Sequence, residues 1–152
     1  MIGTPFIGTF TNTAATAARD VFELVPPSDE VAVLTGLAIG QTTDVGDAED
    51  ENLRLQIILG YTTSGTGGSS VTPDGPFTYG GTMEALNTTL ATTGTPRILL
   101  EMPFNVRAGA LWIPSEHAAI IVPPSVRAVV RIPDAPADSI TFSGELRFNA
   151  IG

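Results

Sequence analysis

Cysteine and lysine are both missing from this 152-residue chain. Without cysteine there can be no disulfide framework, no thiolate metal site and no cysteine nucleophile. Without lysine the seven bases are all arginine, and they face sixteen acids for a formal net charge of −9. With a pI near 4.3, that balance argues against a binder of phosphate backbones or anionic membranes. It fits a solvated surface or a basic partner. Histidine and tryptophan each occur once, which leaves no material for a multi-histidine metal site or an aromatic-lined sugar-cleaving cleft. No apolar run approaches the ~18 residues of a membrane helix, and Met1–Phe6 lacks the basic start and unbroken apolar stretch of a signal peptide. The expectation is a chain with no cofactor, nucleic acid or membrane to bind.

What is present is enough apolar material for a core. Scaling for this mass predicts roughly 7,300 Å² of folded surface against about 23,000 Å² unfolded, one domain's worth of burial. Hydrophobic residues make up 43% of the chain and charged residues only 15%, below the usual ~25%. The free surface must therefore be built from Thr, Ser and Gly, or be covered in part by partners.

The dominant period along the chain is two, the signature of half-buried antiparallel strands. Over residues 139–149, Ile140, Phe142, Gly144, Leu146 and Phe148 alternate with polar residues. Val126, Ala128, Val130 and Ile132 repeat the pattern against Arg127, Val129 and Arg131, as do Leu53, Leu55, Ile57 and Leu59 against Arg54, Gln56 and Ile58. Further extended segments are read at 20–25, 31–39, 97–106, 110–113 and 118–122, and at 5–10 and 82–91. Proline-rich turns such as Pro26-Pro27-Ser28-Asp29 and Pro123-Pro124-Ser125 separate them. Eight or nine short strands at this spacing predict a single all-β domain over 1–152, a sandwich or barrel. Residues 1–18 form an N-terminal arm or edge strand in this reading. The only helical candidates are 14–20 and 83–90, the second read as strand or irregular because of Asn87-Thr88-Thr89. Residues 62–81, with six glycines among Ser, Thr and Pro, read as a long flexible loop.

Chemistry-bearing residues are few. Asp44, Asp47, Glu49, Asp50 and Glu51 crowd carboxylates as a calcium loop does. No twelve-residue ligand pattern fits, however, so the run reads first as an acidic, solvated loop that Arg54 partly neutralises. Ser115, Glu116 and the single His117 lie together in sequence, but a Ser-His-acid machine needs convergence in space and no nucleophile elbow is present. His117 is read as a surface residue. Gly65-Thr66-Gly67-Gly68-Ser69-Ser70 lacks the lysine and following helix of a phosphate loop. The remaining candidates are for interfaces. Arg127, Arg131 and Arg147 form an outward row, Phe77 and Tyr79 are loop anchors, and Trp112 is either an anchor or core.

Several stretches resemble small virion structural proteins of tailed bacteriophages: Asp20-Val21-Phe22-Glu23-Leu24 with Pro27-Ser28-Asp29, residues 39–49 into Leu53-Arg54, Phe104-Asn105-Val106 through Arg131, and 136–148. The similarity covers most of the chain after residue 18 except the loop at 62–81. It implies a jelly-roll-like β-sandwich on the capsid surface. The implied role is a non-enzymatic head decoration (cement) protein, a homotrimer that binds the major capsid protein. The alternative is a receptor- or glycan-binding module of a fibre or tail, using the glycine-rich loop with Phe77 and Tyr79.

Overall fold

A computed structural model describes residues 3–42 and 50–152. Its strands, in chain order, are β1 (Thr4–Ala15), β2 (Arg19–Val25), β3 (Val31–Gln41), β4 (Asn52–Thr63), β5 (Ser69–Ser70), β6 (Thr82–Asn87), β7 (Thr92–Asn105), β8 (Ala110–Trp112), β9 (Ile120–Val122), β10 (Arg127–Ile132) and β11 (Ile140–Ile151). A 3₁₀ turn, Glu116–Ala118, precedes β9. Each extended segment read from the sequence holds a strand. The helical candidate at 14–20 instead closes β1 and, after a bend, opens β2.

The strands form two antiparallel sheets. One runs β1-β11-β3-β8, with β9 also paired to β3; the other runs β5-β6-β2-β10-β4-β7. The pairings are nested along the chain. β1 pairs β11, β2 pairs β10, β3 pairs β9 and β8, and β4 pairs β7. Successive pairs alternate between the two sheets, as when one long antiparallel ribbon is rolled up. This is a jelly-roll-like sandwich, and N-terminal β1 is an edge strand.

Period-two alternation builds the core directly. Phe142, Leu146 and Phe148 of β11, Leu53, Leu55, Ile57 and Leu59 of β4, and Ala128, Val130 and Ile132 of β10 enter one apolar cluster between the sheets. Gly144 takes an inward place in that series because a Cβ there would lie 2.8 Å from the Phe10 ring. The folded surface is 7382 Å², matching the size scaling.

Residues 62–81 are not a structureless loop. The segment continues β4, pairs β5 to β6, bridges Thr66 to Thr89 and Ile7 to Asp74, and places Tyr79 in the core. Its glycines allow close backbone approach: a Cβ on Gly68 would lie 2.3 Å from the Ala85 carbonyl oxygen.

Candidate functional site

The outer face of the six-stranded sheet carries the domain's buried charges, Asp20, Glu23 and Arg131, and a bulge places Asp20 there. The register of β2 against β10 shifts between Val130 and Arg131, so Phe22 faces Val130 while Asp20 faces Arg131. Val21 and Phe22 both enter the core, and Asp20 emerges on the opposite face beside arginine. Bulges re-aim side chains in this way.

Asp20 is fully buried. Its carboxylate accepts from Arg131 Nε at 2.5 Å and Nη2 at 3.0 Å, and from the Ala91 amide at 2.6 Å. Arg131 also donates to the Ala91 carbonyl and the Tyr61 hydroxyl, and its guanidinium lies 4.7 Å from the Tyr61 ring centroid. Burial opposes the Arg131 charge, but the hydrogen bond and attraction of Asp20 outweigh it and raise its pKa above the ordinary value.

One turn of the sheet away, Glu23 is 2% exposed and gathers three hydrogen-bond donors and one ion-pair partner. Ser64 Oγ and the Gly65 amide donate to it at 2.8 Å, as does Asn87 Nδ2, and Arg127 Nε forms an ion pair at 3.0 Å. Glu84, across the strand pair from Glu23, receives a second contact from Asn87 at 3.1 Å. Together these groups fasten the segments around residues 64–68 and 87–91 over the sheet. A small second cluster of Ile58, Ala91 and Val129, with Tyr61 against it, fills the space beneath.

This geometry corrects the expected arginine row. Arg131 is 9% exposed and Arg127 is paired to Glu23, because the covering segments remove that face from solvent. Arg147 lies on β11 in the other sheet, half-exposed beside Glu145. Tyr79 is not a free anchor either: its ring packs 5.2 Å from Phe6 and 4.9 Å from Phe148, centroid to centroid. Trp112 is partly buried against the main core. Phe77 alone of these aromatics is open to solvent, 73% exposed.

Of the calcium candidates, Asp44, Asp47 and Glu49 lie outside the described residues. Asp50 accepts from Asn105 Nδ2 at 2.6 Å, and Glu51 accepts from the Ala137 amide at 2.9 Å. No group of three or more potential metal-ligating side chains occurs among the described residues. Arg54 turns to Asp134, donating through Nε and Nη2 at 2.9 and 2.7 Å. That hydrogen bond holds the Asp134 carboxyl below its usual range against a smaller opposing effect of desolvation. Ser115, Glu116 and His117 are exposed on and beside the 3₁₀ turn.

No family model, curated protein or solved structure matches this chain. The reading of function therefore stands on the chain's own surfaces, and two of them are distinctive. The first is a flank. β1 packs against β6 at one side of the sandwich, so the opposite side is formed by β7 and by β8 and β9. Ile98 and Leu99 on β7, Leu111 and Ile113 at β8, and Ile121 on β9 are between 45% and 67% exposed there. The second is a cleft of about 540 Å³ lined by Thr4, Phe6, Glu30, Phe77, Tyr79 and Ile151 among others. Glu30 Oε2 and the Tyr79 hydroxyl are buried there without hydrogen-bond partners.

Sequence reasoning missed Asp20, Glu23 and Asn87. A signal was available in the charge spacing: acids three apart on β2 and arginines four apart on β10. It becomes readable only when those strands are known to be neighbours.

Proposed function

We propose that this chain is a non-enzymatic structural subunit of a tailed-phage virion, a decoration (cement) protein that binds the major capsid protein and copies of itself as a trimer. The observation that carries this reading is the apolar flank at β7, β8 and β9. Five large aliphatic side chains on these strands stand in water on a domain that already has a complete interior, and exposed apolar side chains gathered on neighbouring edge strands mark contact sites. Pro96 and Pro103 on β7 lack the amide that edge-to-edge pairing needs, which supports side-chain packing rather than sheet extension as the mode of contact. Repeated by capsid symmetry, an interface of modest size stabilises the shell through multivalency.

Mass spectrometry of the parent particle tests the reading. Copies stoichiometric with the major capsid protein are expected, whereas a handful per particle would assign the chain to a fibre or tail. Adding Leu111→Asp and Ile121→Asp protein to particles stripped of the subunit should fail to restore their heat resistance, while the unmodified chain restores it.

A further inference from the structure

We propose that the cleft bounded by Glu30, Phe77 and Tyr79 binds a primary ammonium group carried on an aliphatic stem, the chemistry of a lysine side chain. Two buried polar atoms in that cleft, Glu30 Oε2 and the Tyr79 hydroxyl, have no partner, and Tyr79 as a whole is 8% exposed. Native interiors seldom leave such groups unpaired, because the lost hydration is not returned. A carboxylate only accepts, so its missing partner is a donor. An ammonium brings three donors and serves both the carboxylate and the phenol oxygen at once, where a neutral hydroxyl brings a single proton. A guanidinium fork engages both oxygens of a carboxylate, whereas Oε2 alone of the two Glu30 oxygens is buried without a partner, a single enclosed acceptor that suits a compact ammonium. Glu30 is partly exposed, so rotation of its side chain presents that oxygen to an entering group.

The walls suit the rest of such a ligand. Phe77 and Phe6 offer apolar surface to a methylene stem, and aromatic faces attract a cation. The volume, about 540 Å³, falls in the range of small-ligand sites. None of the chain's seven arginines lines the cleft, and the chain contains no lysine, so no basic side chain of the protein serves it. The net charge of −9 favours the approach of a cation. The inference is independent of the virion reading, because it rests on the cleft and not on the apolar flank.

The test is an NMR titration of the full chain with N-acetyl-lysine methylamide, its ε-acetylated counterpart and N-acetyl-arginine methylamide. Saturable amide shifts at Glu30, Phe77, Thr78 and Tyr79 are expected from the free lysine compound alone. Affinity should fall about tenfold or more in Glu30→Gln, the loss of a charge-assisted hydrogen bond, and fall again in Phe77→Ala. Both substitutions replace partly or fully exposed side chains, and circular dichroism checks that each variant is folded. An equal response to the ε-acetylated or arginine compound, shifts caused only by neutral saccharides, or affinity unchanged in Glu30→Gln overturns the proposal. Comparison of 1,5-diaminopentane with a lysine-containing tripeptide separates the sources. Tighter binding of the peptide assigns a protein partner, equal binding assigns a free amine, and binding of neither overturns the site.

Discussion

Asp20 and Arg131 are each other's main electrostatic partners inside the protein, and the two respond to mutation as a unit. Removing one member of a buried ion pair strands the other, at a cost of about 3–5 kcal/mol. Arg131→Leu is therefore expected to lower unfolding free energy by that amount in urea denaturation. Arg147→Ala, on an exposed position beside Glu145, should change it by less than about 0.5 kcal/mol. The contrast separates two arginines that occupy equivalent outward places in the alternating sequence pattern. Tyr79 gives a second test at this scale. Burial, and then the charge of Glu30, raise its pKa above the ordinary tyrosine value. The folded state thus keeps a proton that the unfolded chain releases above about pH 10. Stability is fully present below that pH and is lost as pH rises towards the folded-state pKa. Denaturation between pH 9 and 11 should show this loss in the native chain, and Tyr79→Phe should reduce it.

At the scale of elements, the segments covering the outer face of the six-stranded sheet depend on Glu23. It holds the Ser64 hydroxyl, the Gly65 amide and the Asn87 side chain together with Arg127. Glu23→Ala leaves the Gly65 amide without its acceptor and Arg127 without its counter-charge, while Ser64 and Asn87 keep Glu84. It should destabilise the domain by about 1–3 kcal/mol, and hydrogen exchange should accelerate first at Gly65 and at the Thr66–Thr89 bridge. The β4–β7 pair has its own constraint, because Gly60 and Gly94 lie at φ +101° and +82° where the register shifts. A Cβ on Gly94 would lie 2.3 Å from the Gly60 carbonyl oxygen. Gly94→Ala should cost about 1–3 kcal/mol, read as a lowered urea midpoint. Strand positions were legible because inward residues such as Phe142, Leu146 and Phe148 must recur every second place to reach one interior. The short β5 was not legible: Ser69 and Ser70 carry no apolar alternation, and their pairing to β6 is fixed by the backbone around Gly67 and Gly68. The same holds for Arg131. Alternation assigned it to the outer side of β10, and nothing in its own neighbourhood disclosed that residues 64–68 and 87–91 would cover that side.

Across the whole molecule, the apolar flank and the cleft beside Glu30 are separate surfaces, and their substitutions should behave separately. Leu111→Asp and Ile121→Asp alter exposed side chains and should leave the unfolding free energy of the isolated domain within about 0.5 kcal/mol. Any change they cause in assembly would then report contact and not folding. The sequence by itself determined the class of fold, because a period of two in hydrophobicity gives each strand one side that must enter a shared interior, and proline-rich turns set where strands stop. It also determined the poverty of reactive groups and the absence of lysine, which are matters of composition. The tertiary structure alone decided which strands are neighbours, and with that which charges are spent on one another. Asp20 and Arg131 lie 111 residues apart. Their pairing follows from the nested return of β10 to β2 and from a one-residue bulge, geometry to which no local pattern in the chain corresponds.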